Sequence, residues 1–273
     1  MKNLKVAAVC MHASKGRIER NLERIQSFVF KAASKGAHMV CFPELCVTGY
    51  LLKNPEEVTK TTDPAKIRDH LIQIARKSGV VVMAGFIEIS KGKKPFISQL
   101  VTGPKGLIGT YRKTHLSPAE QDIYQPGEKI ETFSHKGTTF GVQLCYEAHF
   151  PEISTLAAIM GAEILFMPHA SPRGTPMEKL ESWLRHLTAR AFDNGVFLVA
   201  CNQVGKNDEG LSFPGIALIL GPDGRILAKY RGKGEKILFA ELKSDMLEDI
   251  RRHRMKYFLP HRRPDLYKKL AHA

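Results

Sequence analysis

The sequence predicts an α/β protein, two mixed sheets packed together and covered by helices. Three observations lead there. Short runs of small, β-branched and apolar residues alternate with longer amphipathic stretches, first up to residue 86 and again beyond residue 150. Between and after those regions, strand-like runs are joined by turns rich in Gly, Lys and Pro, which marks antiparallel hairpins. No linker, repeat or low-complexity tract interrupts the 273 residues, so 1–273 reads as one domain with several layers.

The elements follow in order. Leu4–Cys10 is a strand of small and β-branched residues. A helix runs from about Gly16 to Ser34, with Ile18, Leu22, Ile25, Val29 and Ala32 on one face, and Gly36 stops it. His38–Phe42 is the next strand, Pro64–Lys77 a second amphipathic helix and Val80–Phe86 a buried strand. Phe86–Ser90, Phe96–Thr102 and Leu107–Tyr111 read as hairpin strands. Beyond Cys145 come helix Pro151–Met160, strand Ile164–Met167, helix Thr175–Asp193 and strand Val196–Asn202. Three more strands, Gly215–Leu220, Ile226–Tyr230 and Ile237–Glu241, close the chain, with Gly221-Pro-Asp-Gly224 turning between the first two.

Composition excludes several classes. Hydrophobic residues at 43% and charged residues at 25% are ordinary for a soluble globular protein. No apolar run approaches a membrane span, and the run within Met1–Cys10 is too short for a signal peptide, so a cytoplasmic protein is expected. Five cysteines (10, 41, 46, 145 and 201) are odd in number and scattered, which fits reduced thiols. Cys41 and Cys46 flank Glu44 without a second pair of ligands, so neither zinc nor any other metal is expected. The net charge of +14 fits a nucleic-acid or membrane-surface partner, attraction of anionic substrates, or a dispersed solvated surface. The basic residues are spread along the chain, densest at Arg251–Lys256 and His261–Arg263, and no finger, recognition helix or RNA-binding signature accompanies them, which disfavours nucleic acid.

Three segments carry candidate chemistry. Cys145 ends the apolar run Phe140–Leu144 and precedes a helix-starting stretch, where backbone N–H groups favour a thiolate and supply oxyanion donors. Taken alone, a strand-end cysteine is more often a small core residue. Glu44 follows a buried strand at the sheet edge where open α/β folds place ligands, and partial burial would raise its pKa toward neutral; alone, it also reads as a loop cap. Lys113 ends a hairpin strand, as an oxyanion donor or an ordinary edge-strand lysine. Thiol, carboxylate and ammonium together are what cysteine-dependent amide hydrolysis needs. His115, His149 and His169 offer poorer alternatives, since no cysteine-proteinase signature surrounds Cys145.

The chain resembles the nitrilase, or carbon–nitrogen hydrolase, superfamily, on its amidase-like branch. Phe42-Pro-Glu44 with Thr48-Gly-Tyr50 resembles the first catalytic block, Tyr111-Arg-Lys113-Thr-His-Leu116 the lysine block, and Cys145-Tyr-Glu with Phe150-Pro-Glu152 the nucleophile block. Glu120, followed by Tyr124 and Pro126-Gly127, resembles a second active-site glutamate. Agreement continues through Gly161-Ala-Glu163, Ala189-Arg-Ala191, Asn202-Gln-Val-Gly205 and Pro222-Asp-Gly224. The resemblance implies a four-layer α-β-β-α sandwich that dimerises through helices. It also implies that 250–273, ending in Arg262-Arg-Pro-Asp-Leu-Tyr267, is an extension at the dimer interface.

It implies a mechanism as well. Glu44 acts as base toward Cys145, and Lys113 with the backbone N–H of Tyr146 stabilises the oxyanion. Glu120 holds Lys113 and orients substrate, or is only a structural carboxylate. Tyr50 lines the pocket or packs in the core. His149, His169 and Arg173 lie where members differ by substrate, and a carboxylate on the substrate could pair with Arg173 and His149. No cofactor is implied. The chain departs from the common pattern at Glu147, where aspartate is usual, and at Ala217, where serine is frequent. Tyr146-Glu147 in place of Trp-Glu favours a small carboxamide or N-carbamoyl compound over a nitrile. A non-catalytic basic interaction or nucleic-acid-binding protein is the remote alternative.

Overall fold

Strand β1 (Leu4–Cys10) shows why this sequence makes layers. Val6, Ala8 and Cys10 face one core while Ala7 and Val9 face another, all fully buried. A strand apolar on both faces must lie inside a sheet covered on both sides. The computed structural model describes residues 1–53, 58, 63–90 and 94–268.

The first sheet has β2 (Met39–Cys41) and β3 (Val81–Glu88) parallel to β1, then β4 (Phe96–Gly103) and β5 (Gly106–Arg112) antiparallel, as the hairpin-type turns predict. In the second sheet β6 (Thr132–His135) pairs antiparallel with β7 (Thr138–Val142). β8 (Ile164–His169) and β9 (Phe197–Asn202) continue parallel to β7. Strands β10 (Gly205–Lys206) and β11 (Ser212–Phe213) form a small separate ribbon. β12 (Gly215–Leu220) and β13 (Ile226–Gly232) complete the second sheet antiparallel, and β14 (Lys236–Leu242) crosses back to pair antiparallel with β1. Among the described residues each main sheet has six strands.

Helices complete the layers. α1 (Ile18–Ser34) and α2 (Pro64–Ser78) cover the first sheet through a core that includes Ile18, Leu22, Ile25, Val29 and Ala32, the predicted face. α3 (Pro151–Ile159) and α4 (Pro176–Asn194) cover the second sheet through Ala157, Leu180, Trp183 and Leu187. Between the sheets lies a third core with Val6, Cys41, Phe140, Phe166 and Val199. The result is a four-layer α-β-β-α sandwich. Burial of each large side chain in these cores contributes about 1.5–3 kcal/mol. Local chemistry sets the helix ends. Asp63 accepts from Ala65 N at 2.9 Å to start α2, and Thr175 with Glu178 forms a reciprocal capping box on α4. α5 (Ser244–Arg252) buries Leu247 and Ile250.

Some elements differ from expectation. Phe86–Ser90 is not a separate strand, because β3 runs unbroken to Glu88 and pairs with β4 along its length. The run before Cys145 belongs to β7, whose partner β6 is four residues long and too polar to show periodicity. Residue 250 falls inside α5, so the C-terminal extension starts beyond that helix, and its residues 269–273 lie outside the described residues. Among the described residues no helix is long and apolar enough to cross a membrane. The parallel strands β2, β7, β8 and β9 end beside Glu44, Cys145, Ala170 and Gln203, and this common edge is where open α/β sheets gather function.

Candidate active site

Glu44 opens a turn three residues past β2. Phe42 N donates to Met83 O at 2.9 Å, holding the chain on β3, and Leu45 adopts a left-handed φ of 55° to start the turn. Gly85 makes this approach possible: a Cβ there would sit 2.4 Å from Leu45 N and 3.1 Å from the Glu44 carbonyl carbon. Gln203 Nε2 donates to the Glu44 carbonyl at 2.9 Å from the opposite sheet.

Lys113 follows β5 directly. Its Nζ donates to Glu44 Oε1 at 2.8 Å and to both Glu120 oxygens at 2.9 Å, which uses all three ammonium protons. All three side chains are essentially inaccessible to solvent. Glu120 is fixed further by Ser117 N at 2.8 Å and the Tyr50 hydroxyl at 3.2 Å, while Glu44 Oε2 accepts from Ala170 N at 3.0 Å. Two carboxylates around one ammonium leave a net negative cluster. Burial and, secondarily, repulsion from Glu120 push Glu44 up to about 7, against the pull of Lys113. Burial alone would lower Lys113, but attraction to Glu44 and Glu120 outweighs it and holds the ammonium charged.

Cys145 sits at a strained elbow, with φ at 46° in the left-handed region that disfavours a side chain. The expectation of a thiol directly at a helix N-terminus needs correction. A five-residue 3-10 turn, Cys145–His149, comes first, and α3 begins only at Pro151. Groups that favour the thiolate are present in Lys113 and the Ala170 backbone, but they are outweighed. Burial and the Glu44 charge push the thiol up, with Lys113 opposing, so the resting group is the thiol.

Glu147, marked in the sequence only as a departure from aspartate, is a fully buried tie between segments. It accepts from Leu144 N at 2.6 Å at the elbow, and from Thr114 N at 2.7 Å, Thr114 Oγ1 at 2.6 Å and the Tyr111 hydroxyl at 2.8 Å in the lysine segment. One carboxylate thus sets the Lys113 segment against the Cys145 turn.

Cys145 and Glu120 line a cavity of about 210 Å³, together with Tyr50, Tyr146, His149 and His169. Tyr50 combines both of its expected roles, lining the cavity and packing edge-on to Phe213 at 6.0 Å. His169 donates Nδ1–H to Met167 O at 2.8 Å and stacks on Trp183 at 4.4 Å; burial holds its pKa down to about 3, so the ring is neutral and Nε2 is an acceptor. His149 stacks on His186 at 4.6 Å, and burial with nearby Arg190 and Lys179 lowers its pKa, so it brings no charge for a carboxylate. Arg173 is exposed, in a left-handed conformation, and does not line the cavity, although Ser171 and Pro172 do. The wall holds residues the sequence reading missed: Lys179, Ser182, Trp183 and His186 of α4. Their spacing of i, i+3, i+4, i+7 marks one helix face. No group of three or more His, Cys, Asp or Glu side chains among the described residues is arranged to hold a metal ion.

Known proteins share this architecture. Residues 5–252 match the carbon-nitrogen hydrolase family. A nitrilase of Pyrococcus abyssi is 30% identical over 97% of this chain and 99% of its own length. An N-carbamoylputrescine amidase of Arabidopsis thaliana is 30% identical over 93% of this chain and 90% of its own. The crystal structure of an amidase from Nesterenkonia sp. superposes with a TM-score of 0.82 at 25% identity, covering 98% of this chain and 96% of that one. The chain hydrolyses C–N bonds other than peptide bonds, and it belongs to the carbon–nitrogen hydrolase family.

Proposed function

We propose that Glu44, Lys113 and Cys145 perform this hydrolysis on a small carboxamide or N-carbamoyl compound, with Glu120 and the Tyr146 backbone in support. One observation carries the reading: the buried Glu44–Lys113–Glu120 cluster adjoins the partly exposed Cys145 thiol on the wall of a small cavity. Glu44 removes the thiol proton as sulfur attacks the carbonyl carbon, and the carbonyl π electrons move to oxygen. Tyr146 N–H and Lys113 receive that oxyanion. The ammonium can release one of its two Glu120 bonds for this purpose, and one such donor contributes about 3 kcal/mol to the transition state. Protonated Glu44 then returns its proton to the departing nitrogen, leaving a thioester on Cys145. Glu44 next takes a proton from water, which attacks the thioester; the C–S bond breaks, the acid leaves, and Glu44 returns the proton to the Cys145 sulfur.

The test is direct. Cys145→Ala is expected to lose all turnover while keeping its fold, and wild-type protein with a slow amide is expected to gain the acyl mass on the peptide bearing Cys145. Retained activity in Cys145→Ala overturns the reading. Nitrile hydrolysis is the second reading, supported by the relative named a nitrilase. It needs the same residues, and ammonia release from matched amides, ureido acids and nitriles separates the two.

Two further assignments belong here. Leu156 and Ile159 of α3, Met160 at its C-terminal cap, Phe192 of α4 and Phe258 beyond α5 are exposed apolar side chains, supporting a homodimer with the segment 250–273 at its interface. Five free cysteines, four of them buried, support a reducing, cytoplasmic setting.

A further inference from the structure

We infer that Lys179 makes the cavity selective for amides that carry a carboxylate, an inference that rests on the hydrolytic site proposed above and names its substrate class. Among the described residues two charged side chains line the cavity, Glu120 and Lys179. Glu120 shares the Lys113 ammonium with Glu44. His149, His169 and His186 are held neutral at physiological pH, His186 at about 4 through burial first and the neighbouring His149 second. That leaves Lys179 as the one cation without a carboxylate partner among the described residues of the wall.

Lys179 is built into place. It lies on the face of α4 that also presents Ser182, Trp183 and His186, and the ends of that helix are fixed by the Thr175 capping box and by Gly195. Its Nζ donates to Ser171 Oγ at 2.8 Å and to Pro172 O at 3.3 Å. An ammonium has three protons, so one remains for a ligand. No carboxylate among the described residues lies within ion-pair distance of it, in a chain where an ordinary solvated lysine would cost nothing to leave at the surface. Lys179 and Cys145 line the same cavity, so the cation and the nucleophile share one small space. A cavity of about 210 Å³ is below the roughly 300–1,000 Å³ of drug-sized sites, so a short-chain ligand fills it. A short molecule with its amide at Cys145 and a carboxylate at Lys179 satisfies both ends. The same ammonium repels an amine-bearing amide.

Two chemistries offer such a ligand, the monoamide of a dicarboxylic acid and a ureido acid. The experiment compares kcat/KM for pentanamide, glutaric acid monoamide, 5-aminopentanamide and 3-ureidopropionate with wild type, Lys179→Met, Lys179→Gln and Lys179→Arg. In wild type a carboxylate-bearing compound is expected to exceed pentanamide by about tenfold or more, with the amine-bearing amide last. The better of the two acids identifies the source. That preference ratio is expected to collapse toward one in Lys179→Met and Lys179→Gln, mainly through KM, and to persist in Lys179→Arg. Equal or better use of pentanamide by wild type, or an unchanged ratio in the Met and Gln variants, overturns the inference. Calorimetric binding of glutarate to Cys145→Ala, with and without Lys179→Met, is independent of turnover. If no amide is turned over yet glutarate binding depends on Lys179, the hydrolytic roles fail and the carboxylate subsite stands. Glutarate bound equally by both proteins, or by neither, overturns the subsite.

Discussion

The floor and the wall of the cavity are made by different rules. The floor (Glu44, Lys113 and Glu120, with Cys145 at its edge) is buried, locked by charge-assisted hydrogen bonds of 2.8–2.9 Å and shared between both sheets. The wall is one half-exposed face of α4, whose Ser182, His186 and Lys179 can change without breaking a core. Chemistry that must work with fixed protonation states needs a rigid, dry setting, whereas selectivity needs only a side chain of the right charge at the right distance. The floor should therefore lose both stability and rate when disturbed, and the wall should lose selectivity.

Lys113→Ala is expected to give the largest effect that tests this contrast. It leaves Glu44 and Glu120 buried together without a counter-ion, which costs about 3–5 kcal/mol of stability, and kcat should fall by about 100-fold or more with little change in KM. Thermal melting and steady-state kinetics read the two effects, and an unchanged kcat removes Lys113 from the reaction. Glu147→Gln should come next. Its carboxylate oxygens accept only, so an amide NH₂ must face at least one of the donors now satisfied, costing about 2 kcal/mol and lowering kcat more than KM. A stable, fully active variant means the two segments are held by other contacts.

The smallest effect is in pH. Glu44 works as a base only when ionised, and its pKa is pushed up to about 7. As pH falls through 7 the carboxylate is lost, so kcat/KM should drop by about tenfold per unit below that point and level off above it. The limb should move up in the residual activity of Lys113→Ala, where the attraction lowering Glu44 is gone, and stay in place in Ser182→Ala on the wall. A limb that ignores Lys113 assigns the titration to another group.

Much of the floor was legible from local pattern. β1 announces burial on both faces through Val6–Cys10, and the apolar face of α1 lies where its spacing puts it. Glu44, Lys113 and Cys145 stand at strand ends, where residue type and position coincide. Less was legible where function depends on packing. A five-residue 3-10 turn separates Cys145 from α3, and no spacing rule distinguishes that from a helix start. Glu147 looked like a substitution within a motif, because its partners Tyr111 and Thr114 lie more than 30 residues away. The α4 face was visible as a periodicity, but 179, 182, 183 and 186 gain meaning only once that face meets the cavity. Arg173 was the reverse case: nearby in sequence to Ser171 and Pro172, it turns away through a left-handed backbone.

The raised thiol of Cys145 has a consequence beyond catalysis. A low-pKa cysteine is a standing thiolate that peroxides and stray electrophiles consume, whereas this sulfur is held protonated by burial and by the negative charge of Glu44. Its reactivity is released only when a carbonyl is placed to accept the electron pair while Glu44 takes the proton. Activation of the sulfur and arrival of the carbonyl are therefore one event, timed by the substrate itself.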